Sequence, residues 1–297
     1  MPSLDLQGII VPLITPFTRV GDVYEDGLRH LLDFHLKKGS HGLFICGTFG
    51  SGPIMSTPER KQVTEITIDQ INGRVPVIVQ IGSPSTAQVL DLARHAQDTG
   101  ASAVASTPPY YYQHDEQTVA QHFQELVGAV DIPVFYYNTP KTTGFILRPD
   151  FLAKLVGLGV QGIKDSGFNF VEFTHYLSVL EDQPDFTYVV GTETVCLPAM
   201  LLGVKACISG LSNVFPELVI DLFNTTHAKN YEKAGKLQIK VNQARRALHI
   251  PHSPHAAVYS ILTWRGLDVG IPKPPILPVS RDDEDRMKDA FKNLGLL

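Results

Sequence analysis

The chain has 297 residues, 43% of them hydrophobic and 19% charged, with a formal net charge of −5, a composition far from the polar signature of disorder. Its charges are scattered and form no basic face, which makes nucleic acid and anionic membrane poor partners, and no run nears the roughly 20 apolar residues of a membrane span. The opening Met1-Pro2-Ser3-Leu4-Asp5 does not read as a secretion signal, and Cys46, Cys196 and Cys207 sit in apolar runs as expected of reduced thiols, so the expected compartment is the cytoplasm.

Along the chain, short apolar β-rich runs alternate with longer segments of helical period. The strand candidates are residues 8–14, 42–46, 75–81, 102–106, 133–137, 160–164, 186–190 and 206–209. Between them the period 3.6 predicts helices over residues 24–38, 57–71, 85–99, 116–130 and 169–180; in the first, Leu28, Leu31, Leu32 and His35-Leu36 mark one face. Eight strand candidates at this spacing predict an α/β fold, the (β/α)8 TIM barrel. A doubly wound sheet is the alternative, but it would carry a Gly-rich phosphate turn where this chain has Thr15-Pro16-Phe17. The strands stop near residue 224. Helical patterns then fill residues 228–248, 256–265 and 282–294, joined through Ile271-Pro272-Lys273-Pro274-Pro275. The expected organisation is a barrel over residues 1–223 and a C-terminal helical extension over 224–297.

In such a barrel the chemistry sits where strands end and the following loops begin. The second strand runs into Gly47-Thr48-Phe49-Gly50-Ser51-Gly52, whose glycines free backbone N–H groups to face an anion. A tight turn reads the same way, and the missing Lys-Ser/Thr disfavours a nucleotide P-loop. The fourth strand leads to Tyr110-Tyr111-Tyr112, three tyrosines in a polar loop that suit a ligand wall or a subunit contact. The fifth ends in Tyr136-Tyr137-Asn138-Thr139-Pro140; alternation lets only one of the two tyrosines point inward, as a packed aromatic or as an acid/base group. The sixth ends in Lys164 before Asp165-Ser166-Gly167. A lysine opening a loop is ordinarily solvated, but burial would lower its pKa and yield the neutral amine that attacks a carbonyl, which makes Lys164 the leading candidate for covalent catalysis. His249, His252 and His255 are spaced by three, but Pro251 and Pro254 interrupt them and no carboxylate or cysteine accompanies them, so no metal is expected.

These strand ends together resemble the dihydrodipicolinate synthase / N-acetylneuraminate lyase family, the class I pyruvate-dependent aldolases. The resemblance runs through Val11-Pro12-Leu13-Ile14-Thr15-Pro16-Phe17, Gly47-Thr48-Phe49-Gly50, Pro109-Tyr110-Tyr111, Tyr137-Asn138-Thr139-Pro140, Gly162-Ile163-Lys164-Asp165 and Gly266-Leu267-Asp268-Val269-Gly270. It implies that Lys164 forms the Schiff base with a 2-oxo acid, pyruvate, and that Tyr137 is the proton shuttle. By the same resemblance Thr48 links Tyr137 to Tyr111, which family members commonly receive from a neighbouring subunit. The loop backbone at Gly47, Thr48 and Phe49 would hold the carboxylate, with Ile208 beside it. A covalent imine implies no other cofactor, and the family implies a homo-oligomer, commonly a homotetramer.

Three positions depart from the family pattern. Phe49 stands where a second Thr or Ser is usual, Ser51 where many members have Glu, and Thr142, beside Lys141, where the synthases place an arginine for the aldehyde partner's carboxylate. The expected function is therefore a lyase that cleaves a 2-keto-3-deoxy sugar acid to pyruvate and an aldehyde, with Thr142, Ser166, Thr192, Glu193 and Ser209 along the polyol chain. The alternatives are a Schiff-base dehydratase or a pyruvate-condensing synthase on the same scaffold. A further alternative, of another class, is an idle sugar-acid-binding barrel in which Phe49 blocks the pocket.

Overall fold

Gly8–Pro12 (β1), Gly42–Ile45 (β2), Val77–Gln80 (β3), Ala103–Ser106 (β4), Val134–Asn138 (β5), Gly162–Asp165 (β6), Thr187–Val190 (β7) and Ala206–Ile208 (β8) lie parallel and close in sequence order, β8 pairing with β1. This is the (β/α)8 barrel, seen in a computed structural model that describes residues 4–297. Strands of this kind are covered on both faces, which is why they read as near-continuous apolar runs. Alternation divides the covering into two cores. Ile10, Phe44, Ile78, Ala103, Ala105, Phe135, Tyr137, Val189, Ala206 and Ile208 fill the barrel interior. Their neighbours Val11, Ile45, Val79, Val104, Tyr136, Ile163, Val190 and Cys207 face the helices. All three cysteines are free and buried.

The helices start where local chemistry allows. Glu25–Lys37 (α1) buries Leu28, Leu31, Leu32 and His35, the expected stripe. Thr57–Ile71 (α2) opens with a capping box, in which Ser56 Oγ accepts from the Glu59 N–H and Glu59 Oε2 accepts from the Ser56 N–H at 2.7 Å. Thr86–Thr99 (α3) and Glu116–Val127 (α4) follow, then a single turn, Pro140–Thr143 (α5), and a nine-residue helix, Pro149–Gly157 (α6). These last two were not anticipated: both begin at proline and are too short to show a period. Phe170–Val179 (α7) and Cys196–Leu201 (α8) precede Pro216–His227 (α9), a helix also missed, which carries the chain across residue 224. The barrel's last helix thus passes through the position where the strand pattern ended.

Tyr231–Leu248 (α10), Pro254–Trp264 (α11) and Arg281–Asn293 (α12) form the C-terminal layer. Met287 and Phe291 of α12 are fully buried, the Phe291 ring 5.0 Å from Phe215, each burial contributing roughly 1.5–3 kcal/mol. Tyr259 in α11 donates to the Thr15 carbonyl at 2.6 Å, tying the layer to the loop after β1. The turn before α11 therefore lies over the C-terminal end of the barrel, at the site. Among the described residues no helix is long and apolar enough to cross a membrane.

Candidate active site

The site begins with strand register. In the β5–β6 ladder Tyr137 pairs with Lys164 and Asn138 with Asp165. Period-two alternation then sends Tyr137 and Lys164 into the barrel together and Tyr136 out to the helices. One layer below, Gly162 leaves the space that the Phe135 ring occupies.

Lys164 is buried, 4% exposed, with Nζ 3.8 Å from the centroid of the Phe44 ring and 3.9 Å from that of Tyr137. Burial pushes its pKa below the usual lysine value, and the neighbouring Tyr137 only partly offsets that. The two aromatic faces make the remaining charge tolerable, a contact that contributes about 2 kcal/mol when desolvated. For Tyr137, burial alone would raise the phenol; the Lys164 charge and the hydrogen bond with Thr48 outweigh it and leave the pKa lowered. Tyr137 Oη and Thr48 Oγ1 are 3.2 Å apart. An amine and a phenol whose acidities are drawn toward each other have the chemistry that nucleophilic attack and proton transfer require.

Behind them, Asp165 locks the two strand ends. Its Oδ1 accepts from Asn138 Nδ2 at 2.8 Å and from the Gly167 N–H at 2.9 Å, and its Oδ2 accepts from Tyr188 Oη at 3.1 Å. Burial raises the Asp165 pKa, and no cation is paired with it among the described residues. Neither this clamp nor Phe44 was anticipated as part of the site. Phe44 carried a signal in the alternation of β2, whereas the clamp needs the β5–β6 register to be visible.

The loop after β2 is tightly wound. Cys46 and Ser51 adopt positive φ, and a side chain at Gly52 would collide with the Cys46 carbonyl, so only glycine fits there. The loop closes through the Gly52 N–H to the Gly47 carbonyl and the Ser51 N–H to the Thr48 carbonyl. The N–H groups of Thr48 and Phe49 have no protein acceptor among the described residues, which leaves two donors for an anion. Phe49 does not cover Lys164: its ring lies 4.7 Å from that of His255, over Gly210, where a Cβ would come within 2.7 Å of it.

A cavity of about 840 Å³ opens above Lys164. Thr48, Phe49, Tyr137, Thr142, Lys164, Ser166 and Ile208 line it, as expected from the strand ends. Four residues expected at the substrate are not on the cavity wall. Gly47 makes room for the Phe44 ring. Glu193 is 0% exposed, accepting from Arg245 Nη1 at 2.9 Å and from the Gly210 N–H at 3.2 Å. Ser209 is equally buried, its Oγ accepting from the Ser212 N–H at 3.1 Å. Thr192 turns back onto Thr194 at 2.9 Å. Tyr111 stands apart, 87% exposed with φ +82°, edge-on to Tyr112 at 5.2 Å, so within one chain the hydroxyl pair ends at Tyr137. Arg245 of α10, on the cavity wall, was not anticipated; in sequence it is one basic residue of an amphipathic helix.

The sequence model of the dihydrodipicolinate synthetase family matches residues 5–294. The chain belongs to this family. It is 32% identical over 292 residues to a 4-hydroxy-tetrahydrodipicolinate synthase of Desulfotalea psychrophila, covering 98% of this chain and 97% of that protein. It is 34% identical over 295 residues to the enzyme of the same name from Rhizobium meliloti, covering 98% and 99%. In three dimensions it resembles YagE, a prophage protein of the dihydrodipicolinic acid synthase family from E. coli K12 in complex with pyruvate, with a TM-score of 0.95 and 26% identity over 99% of this chain and 100% of that one. A variant of the Sulfolobus solfataricus 2-keto-3-deoxygluconate aldolase superposes with a TM-score of 0.89 and 25% identity over 97% and 96%. Membership makes the protein a carbon–carbon lyase on the class I, pyruvate-dependent scaffold.

Proposed function

We propose that this protein makes and breaks the bond between C3 of pyruvate and an aldehyde carbon through an imine on Lys164. The observation that carries the proposal is the buried Lys164–Tyr137 pair on the wall of a cavity large enough for both substrates. The neutral Lys164 amine adds to the C2 carbonyl and water leaves, giving an iminium. Loss of a C3 proton gives the enamine, whose C3 attacks the aldehyde carbon, and the new alkoxide takes its proton from Tyr137. Cleavage is the reverse, with Tyr137 accepting the C4 hydroxyl proton. Hydrolysis then frees Lys164. The loop N–H groups at Thr48 and Phe49 hold the pyruvate carboxylate. In this scheme the iminium is the electron sink, so neither a metal nor an organic cofactor takes part.

The names of the curated relatives support the condensing direction, pyruvate plus an aldehyde. A second reading, cleavage of a 2-keto-3-deoxy sugar acid, is favoured by the hydroxyls of Thr139, Thr142 and Ser166 on the cavity wall. It is also favoured by Thr142 standing where a synthase would carry a guanidinium. Carbon accounting separates the two. Pyruvate with aspartate semialdehyde yields a single condensed product in the first case, and 2-keto-3-deoxygluconate yields free pyruvate in the second. Turnover of neither, with an intact fold, overturns both and leaves the idle barrel. The exposed Tyr111–Tyr112 pair supports assembly of copies into a homotetramer, and the three free thiols support a cytoplasmic setting.

A further inference from the structure

The outer half of the cavity is basic. Lys141 of α5 and Arg245 and His249 around the end of α10 line it, close enough that Lys141 and Arg245 both depress the His249 pKa, although burial is the larger cause. The acids nearby are occupied. Glu193, behind the wall, is held by Arg245 Nη1 and the Gly210 N–H. Asp283, the one acid on the wall among the described residues, is paired with Arg286 at 2.9 Å. Arg245 spends only Nη1 on Glu193; its Nε and Nη2 have no protein acceptor among the described residues, and its guanidinium lies 5.8 Å from the exposed Phe168 ring. Lys141 is exposed and has no ion pair among the described residues.

With Lys164 at the floor, the cavity thus holds cations at two levels. The inner one is used in the imine. The outer one, Lys141 and Arg245, lines the same cavity with N–H donors that have no protein acceptor among the described residues. A fixed, half-desolvated guanidinium beside an ammonium is a site for a carboxylate or a phosphate.

We propose that Lys141 and Arg245 bind an anionic group at the far end of the aldehyde partner, so that this enzyme prefers a carboxylated or phosphorylated aldehyde to a neutral one. The inference rests on the pyruvate-imine reading for the identity of the partner, but not for the existence of the anion site. The guanidinium missing at Thr142 is then supplied by Arg245 of α10, which lines the same cavity.

The test is calorimetric titration with unreactive alcohol analogues in matched pairs: glycerol 3-phosphate against glycerol, and 4-hydroxybutyrate against 1,4-butanediol. Both untreated enzyme and enzyme reduced with borohydride in the presence of pyruvate are titrated. At least one anionic member binds ten times tighter than its neutral match or better, and the pair showing the larger ratio tells phosphate from carboxylate. Lys141→Ala and Arg245→Gln each reduce that ratio severalfold. Equal binding within both pairs overturns the proposal, as does a preference that neither substitution changes. Arg245→Gln leaves Glu193 without its ion-pair partner; if its melting temperature falls, Lys141→Ala, at an exposed residue, decides alone. Failure of wild-type pyruvate trapping overturns the imine reading, while the titration of untreated enzyme still reads the anion site.

Discussion

At the ends of β5 and β6 the proposed catalytic groups are fixed from several sides: Lys164 lies between two aromatic rings, Tyr137 bonds Thr48, and Asp165 joins both strands to Tyr188. At the cavity mouth the side chains are exposed or half-exposed and come from α5, α10 and the turn before α11. The first region is a product of strand register, which cannot shift without unpairing the sheet. The second is a product of loops and appended helices, which can change residue by residue over an unchanged barrel. One scaffold can thus keep its imine chemistry while its relatives carry different substrate names, and residues deep in the barrel should control rate while residues at the mouth control partner choice.

The largest expected effect is at Lys164. Lys164→Ala abolishes imine trapping and lowers turnover by at least about a thousandfold, measured as kcat. Tyr137→Phe comes next, with kcat down about 100- to 10,000-fold while pyruvate is still trapped on Lys164, because the imine forms before the alkoxide needs its proton. If trapping and turnover fall together, Tyr137 acts earlier than proposed.

The pH dependence sharpens the same comparison. Burial lowers the Lys164 pKa, so the neutral amine appears, and the trapping rate rises, at a lower pH than the ordinary lysine value of 10.5. Tyr137 acts in the opposite sense, raising the Lys164 pKa, so Tyr137→Phe moves the midpoint of the profile to lower pH still. A midpoint at or above the ordinary value contradicts this electrostatic account.

Asp165→Asn tests the clamp. One of its donors, Tyr188 or the Asn138 side chain, loses its acceptor in a buried place, which costs about 1–3 kcal/mol and lowers the melting temperature by a few degrees. A separate effect, on stability alone, is far from the site. His35 is fully buried with its pKa lowered to about 3 by burial and by Arg265. Because the unfolded chain takes up that proton first, its contribution is complete above the unfolded value of about 6.5 and is lost, at about 1.4 kcal/mol per pH unit, as pH falls from there toward about 3. His35→Gln should flatten that part of the stability profile, measured by urea unfolding across the range.

The comparison also explains what the sequence made legible. A barrel announces itself because each strand is a short apolar run and each long helix has a period, and strand ends then point to Thr48, Tyr137 and Lys164 without knowledge of any contact. Helices α5, α6 and α8 escaped because so few residues carry too little pattern, whereas α9, with Leu218, Val219 and Leu222 on one face, had the period and was passed over. Glu193 and Ser209 follow β7 and β8 as expected, yet local turns direct them behind the wall, which chain order does not reveal. Arg245 escaped for the opposite reason: it is remote in sequence from every strand end, and only the packing of α10 across the barrel brings it to the cavity.

Borohydride reduction in the presence of pyruvate, followed by intact mass and peptide mapping, tests the central claim most directly. The account predicts one reduced pyruvate adduct per chain, on Lys164. No adduct on folded protein, or an adduct on another lysine, would contradict it.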